Sequence, residues 1–299
     1  MATPRSTYLF LAVAVLAASQ SGNLVRLGEA PAIIIAGWRL LLAALVLAPW
    51  GVPGLLRAKP SKRDVALLLL TGGFLSLHFL TWIAGVQRTT VANAALVFSI
   101  HPVFTALGGI LFLKERLDLK VVVSIALGLV GVAVLGLGDL RLNPDNLLGD
   151  GLAILSALLF TSYLLMGRFL RQSFDSTTYV FAIYGSAAVV SFGVATSQGL
   201  PLVDYSARTW LCFALMAAIP TLVGHTGFNH AVKYLAAAKI SVVSLSEPLF
   251  AALVATAVWG EPITLVAVVG YGLIMGAVVV LVLGRVKRVT SGEAAEASS

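Results

Sequence analysis

The chain has 299 residues, of which 59% are hydrophobic and only 11% charged, with a formal net charge of +7. So apolar a composition, with a strongly positive mean hydropathy, excludes a soluble globular protein and marks an integral membrane protein. The basic residues sit in short spacers between apolar runs, which suits membrane orientation and not nucleic acid, and the single Cys212 excludes an internal disulfide or a cysteine zinc cluster.

Ten segments approach the roughly 20 apolar residues that a bilayer requires. They run from Tyr8 to Val25, Pro31 to Trp50, Val65 to Val86, Val91 to Leu113 and Val121 to Leu137. The second set runs from Leu148 to Leu170, Thr177 to Thr196, Ala207 to Val232, Ala236 to Trp259 and Ile263 to Gly284. Runs this long, rich in Leu, Val and Ala and without barrel-strand alternation, predict helices, because a helix satisfies its own backbone groups in lipid.

The first segment, with Arg5 ahead of it and Ala17, Ala18 and Ser19 near its end, resembles a cleavable signal peptide. Retention is expected, because removing it would unbalance two otherwise matching sets of five. With the N-terminus inside, inner connections carry 15 Lys and Arg residues (Arg5, Arg57, Lys59, Lys62, Arg63, Lys114, Arg116, Lys120, Arg168, Arg171, Lys233, Lys239, Arg285, Lys287, Arg288). The outer ones carry 4 (Arg26, Arg88, Arg141, Arg208), with Arg39 inside a helix. Both termini are therefore expected in the cytoplasm, in a cell (inner) membrane.

The stretch Ile100 to Arg116, IHPVFTALGGILFLKER, returns 146 residues later as Ser246 to Pro262, SEPLFAALVATAVWGEP. Pro102/Pro248, Phe104/Phe250, Ala106/Ala252, Leu107/Leu253 and Glu115/Glu261 coincide, and the same offset carries Trp82 onto Phe228 and Val86 onto Val232. Five helices per copy force the second copy to enter the membrane upside down. The expected organisation is a first repeat over 1–140, a connector 141–147, an inverted repeat over 148–284 and a disordered cytoplasmic tail 285–299.

Ten helices in duplicated halves, a fourth helix of each half running from proline to glutamate, and Trp38-Arg39 in the second helix together resemble the drug/metabolite transporter superfamily, and within it the EamA-type exporters. The chain is also similar to the YddG-type exporters of aromatic amino acids. What the resemblance implies is an all-α fold of ten transmembrane helices, two inverted repeats around a central cavity. It also implies secondary or facilitative export of small metabolites by alternating access, with aromatic and other amino acids as the first expected substrates. A multidrug or cationic-compound exporter is the alternative, and a membrane enzyme or scaffold a further one.

Ionisable side chains at helix depth are expensive and mark functional sites. Glu247 is the only carboxylate deep in a predicted helix. It either binds a substrate amine or a proton, or is protonated or paired with Arg39 to satisfy backbone freed by Pro248. His101, its register counterpart, is expected to line the cavity beside Pro102. Arg39 is expected to form a structural pair, though it could receive a substrate carboxylate. His78 and Trp82 are four apart, as are His225 and Asn229, so each pair shares a helix face suited to a flat ring. Ser99 and Ser244 join this substrate-binding set, with Ser19, Gln20, Asn23, Ser241 and Ser246 as further polar positions. Pro102 and Pro248 are the expected hinges. Gly272/Gly276 and Gly128, Gly131, Gly136 and Gly138 are expected to pack helices closely within a monomer or homodimer.

Enzyme readings lack residues. Gly136-Leu137-Gly138-Asp139 matches a GxGD pattern, but no second aspartate lies at helix depth to pair with Asp139. The sequence has no HExxH, no Cys/His metal spacing and no GxxxxGK[ST] loop. Ser99 and His101, two apart on a helix, do not face one another. No cofactor, metal or nucleic-acid partner is therefore expected; the expected partners are the small-molecule substrate and the lipid bilayer.

Overall fold

A computed structural model describes residues 5–88, 91–139 and 147–283 of the chain. Among these residues, ten helical spans are long and apolar enough to cross a membrane. Spans 1 to 5 are Thr7–Val25, Ala32–Ala58, Lys62–Val86, Ala94–Leu113 and Leu119–Gly136. Spans 6 to 10 are Leu147–Leu170, Ser176–Ser197, Ala207–Ala231, Ala237–Trp259 and Leu265–Leu283. The connector as far as residue 146, the tail 285–299, and with them Arg141, Arg285, Lys287 and Arg288, lie outside the described residues, as do the side chains of Arg5 and Asp139.

Span 2 is longer than its apolar run suggests, passing through Pro49 and Pro53 to Ala58. The two prolines are one turn apart, so their missing donors fall on one helix face and the remaining ladder carries the helix onward. It stops at Lys59, whose φ of 45° is left-handed, and Ser61 with Asp64 then forms a reciprocal capping box that starts span 3.

Four other spans are irregular. Span 4 divides between Phe98 and His101, and span 9 between Ser244 and Glu247. In each, proline is the second residue of the new helix; its ring clashes with the carbonyl four residues back and it donates no hydrogen bond. Span 1 also breaks, at Ser19-Gln20, whereas its counterpart span 6 is continuous. In span 8, Ala217–His225 winds as a π-helix around Pro220. The wider turn gives the carbonyl of Met216 a different donor, the Thr221 hydroxyl at 2.8 Å.

The packing follows the repeat. Span 2 packs on span 7 and span 5 on span 10; span 1 lies against 8 and 9, and span 6 against 3 and 4. Exchanging the halves maps these pairings onto themselves, as an inverted repeat requires. The closest approach of spans 5 and 10 is Gly131 against Gly270: a Cβ on Gly131 would stand 2.8 Å from the Gly270 carbonyl oxygen, and one on Gly270 2.9 Å from that of Gly131. The expected small pair differs, since Gly272 has open space before it and Gly276 meets only Leu127. A continuous buried core joins spans 1, 2, 3, 6, 7 and 8, around the fully buried Tyr163, Tyr179, Tyr184 and Phe213. Phe112 and Leu265 are 78% and 79% exposed, outward positions that lipid suits and water does not.

Candidate functional site

The two proline breaks meet. Pro102 frees the carbonyl of Phe98, and His101 Nδ1 lies 3.0 Å from that oxygen. A carbonyl only accepts, so Nδ1 carries the proton and donates. His101 Nε2 then faces Ser244 Oγ at 2.8 Å, on the residue whose register counterpart is Phe98. One turn on, Thr105 Oγ1 donates to Ser241 Oγ at 2.9 Å. The two halves are thus hydrogen-bonded through polar side chains where their helices are interrupted.

Glu247 occupies the equivalent of His101 but behaves differently. It makes no hydrogen bond or ion pair among the described residues. The expected pairing with Arg39 does not form, and neither does a bond from Glu247 to the backbone that Pro248 frees. Its carboxyl instead belongs to the wall of a cavity of about 100 Å³ that also takes in His78, Trp82, Ser99, His101, His225, Ser244 and Pro248. A water needs roughly 10–15 Å³ of such volume, so the space holds several waters or a small solute. Pro102 is buried and does not line the cavity.

Phe79, Phe98, Phe160 and Phe228 also line the cavity. Phe98 is 4.7 Å from His101 and 5.1 Å from Trp82, centroid to centroid; His78 is 5.1 Å from Phe160, and Phe79 is 4.8 Å from His225. These separations suit offset and edge-on contacts among the rings themselves. His78 is fixed by Ser156, whose Oγ lies 2.8 Å from Nδ1. His225 Nδ1 is buried without a partner. Span 1 contributes Ser19, Ser21 and Gly22 at its break, and Asn23 Nδ2 donates across to the Ala251 carbonyl of span 9 at 3.0 Å.

Two of the expected binding residues are elsewhere. Asn229 is fully buried and does not line the cavity; its amide donates to the Tyr163 hydroxyl and to the His225 carbonyl. Phe228 takes its place on the wall, because the π turn shifts the face that span 8 presents. The repeat offset, which pairs Phe228 with Trp82, carries the correct signal and the four-residue spacing does not. Nothing in the sequence marks Phe79, Phe98 and Phe160, because an aromatic in an apolar run looks the same on either side of a helix.

Arg39 lies one layer behind the wall. It is fully buried, its Nε donates to Thr221 Oγ1 at 2.8 Å, and its guanidinium carbon sits 3.8 Å over the ring of Phe79. Nη1 reaches Ser21 Oγ at 3.3 Å and Nη2 has no partner. The expected structural pairing is therefore with hydroxyls and a ring. A guanidinium stacked on a wall ring places positive charge behind the cavity without exposing a donor to it.

Comparison with known proteins matches the EamA-like transporter family to residues 5–137 and 147–283. A Bacillus subtilis protein described as uncharacterized transporter YyaM is 26% identical over 252 residues, covering 80% of this chain and 81% of its own. Uncharacterized transporter YetK of the same organism is 24% identical over 293 residues, covering 92% and 86%. An uncharacterized transporter of Archaeoglobus fulgidus is 27% identical over 215 residues, covering 70% and 74%. A protein of known crystal structure superposes with a TM-score of 0.80 at 19% identity, covering 94% of this chain and 98% of its own, a likeness of fold.

Proposed function

The chain belongs to the EamA-like transporter family, and from that premise we propose that it exports small amphipathic solutes, aromatic amino acids first among them, by alternating access through the cavity between its proline breaks. It is a multi-pass membrane protein of a transporter family. The observation that carries it is the cavity itself, a ring-lined space at the interrupted helices with one unpartnered carboxylate, Glu247, on its wall. Rings receive a flat side chain and Glu247 receives an ammonium or a proton. Rocking of the halves about Pro102 and Pro248 would carry the site from one side to the other.

One observation favours a second reading. Among the described residues no Lys or Arg lines the cavity, so a substrate carboxylate would meet the hydroxyls and imidazoles there. A flat organic cation would satisfy Glu247 and the rings without that deficit.

Counterflow in proteoliposomes separates the two. Labelled phenylalanine, tryptophan and threonine are tested beside phenethylamine, tryptamine and a flat permanent cation. Saturable exchange of the amino acids supports the first reading. Exchange of the amines and cation alone moves the assignment to the second, and no exchange of any of them overturns both.

A further inference from the structure

Among the described residues there are two bridges between Lys or Arg and a carboxylate, and each joins one half of the molecule to the other. Arg26, at the end of span 1, meets Glu261, just past span 9, at 2.5 Å. Arg168, at the end of span 6, meets Glu115, just past span 4, at 3.1 Å. Spans 1 and 6 are the first helices of their halves and spans 4 and 9 the fourth, so the bridges join equivalent pairs of helices, with the two arginines 142 residues apart, one helical turn short of the repeat offset. Glu115 and Glu261 are separated by the same 146 residues as the proline breaks.

The local backbone repeats as well. The residue before each glutamate is left-handed, Lys114 at φ 53° and Gly260 at φ 69°. Both helices therefore stop one residue short of the acid and turn it towards the opposing half. Because successive spans alternate in direction, the bridges lie at opposite ends of the bundle. Arg168 and Glu115 are at the end rich in Lys and Arg, and Arg26 and Glu261 at the other.

We propose that these bridges are the two reciprocal latches of alternating access, each closing the cavity at its own end and each broken when that end opens. The inference rests on the alternating-access reading and adds the residues that hold each closed state. Rocking one half against the other about the central hydrogen bond of His101 and Ser244 separates the arms at one end while bringing them together at the other. A contact between first and fourth helices of opposite halves lies on those arms.

The latches are unequal. Arg168 Nη1 also donates to the carbonyls of Val232 and Lys233 at the end of span 8, at 3.0 and 2.7 Å. Arg26 has no such acceptors and lies instead 5.3 Å over the ring of Trp259. The arginine and glutamate side chains are 35% and 49% exposed at the Arg26 end but 26% and 15% at the Arg168 end, so water screens the first bridge more. The cavity also takes in the broken part of span 1, four residues from Arg26. In this structure the basic end is held more firmly, and the end with Arg26 is the one poised to open.

The test reads accessibility, not transport. Cys212→Ser removes the native thiol, and Ser99→Cys places a reporter on the cavity wall. Its labelling by a small membrane-impermeant thiol reagent is followed in right-side-out and inside-out vesicles. Glu261→Gln should raise labelling several-fold from the Arg26 end and lower it from the basic end. Glu115→Gln should do the reverse, by a smaller factor, because Arg168 keeps two carbonyl acceptors. Shifts of the same sign, or none in either variant, overturn the proposal.

Cysteine pairs guard against a neutralised variant that fails to fold. Bridging Arg26→Cys with Glu261→Cys by a bifunctional thiol reagent should exclude labelling from that end alone. Bridging Arg168→Cys with Glu115→Cys should exclude it from the basic end alone. A bridged pair that leaves its own end accessible also overturns the proposal. Opposite shifts without flux of any solute would retain the latches and remove the transport reading; flux with an unmoved reporter would do the opposite.

Discussion

His101 Nε2 lies 2.8 Å from Ser244 Oγ, which ties the interruption of span 4 to that of span 9. The repeat makes the two sites equivalent, yet one offers an imidazole held between Phe98 and Ser244 and the other a carboxyl with no protein partner. The pivot is thus satisfied on one side and open to a ligand on the other. Interhelical hydrogen bonds in membranes are worth about 0.6 kcal/mol on average and up to ~1.7. A double-mutant cycle of His101→Ala and Ser244→Ala, read by thermal unfolding in detergent, should give a coupling in that range. Strictly additive losses would show that the contact is incidental.

Trp82 and Phe228 are register counterparts, and both line the cavity. Aromatic contacts contribute roughly 0.5–1.5 kcal/mol beyond burial, and each 1.4 kcal/mol is about tenfold in affinity. Trp82→Ala and Phe228→Ala should each raise KM for aromatic solutes roughly two- to tenfold and leave threonine exchange, where present, little changed. Equal loss for every solute would point to packing damage instead.

Glu247→Gln keeps the shape of the side chain and removes its charge and its titration. If this carboxyl couples transport to protons, the variant should lose dependence on a pH gradient while retaining counterflow. Unchanged gradient dependence in the variant would exclude Glu247 as the coupling group.

Arg39 is held by Thr221, Ser21 and the face of Phe79. Lysine keeps the charge but loses the planar stack and the fork of donors. A desolvated cation–π contact is worth about 2 kcal/mol, so Arg39→Lys should lower the unfolding temperature by several degrees. A variant as stable as the parent would mean that the stack contributes little.

Asp175 caps the helix Ser176–Ser197, accepting from the Thr178 N–H at 3.0 Å. Partial burial opposes its ionisation, but hydrogen bonds from Thr178 and Thr177 and the nearby Arg171 outweigh this and hold the carboxyl below its usual range. Its folded value lies below its unfolded one, so its stabilisation is present above the unfolded pKa and is lost as pH falls through the folded one. Asp175→Ala should cost about 1 kcal/mol near neutrality, and the deficit should vanish in strong acid. A deficit that persists there would assign the loss to something other than the charge.

The ten spans, the inverted duplication and the positions of the proline breaks are legible in the chain, because each is written in local chemistry. Apolar length decides whether a helix can cross, and a proline ring disrupts its own helix wherever that helix lies. Eight of the expected binding and hinge residues, from His78 to Pro248, line one cavity for the same reason: breaks and deep polar groups are rare and have few places to go. Tertiary structure alone decided the partners. Arg39 faces Phe79 and not Glu247, and Phe228 displaces Asn229, because a π turn at Pro220 rotates one face of span 8 by an amount that a spacing rule for regular helices does not contain. The bridges at Glu115 and Glu261 join residues 53 and 235 positions apart, and only the packing of one half on the other brings those charges into reach.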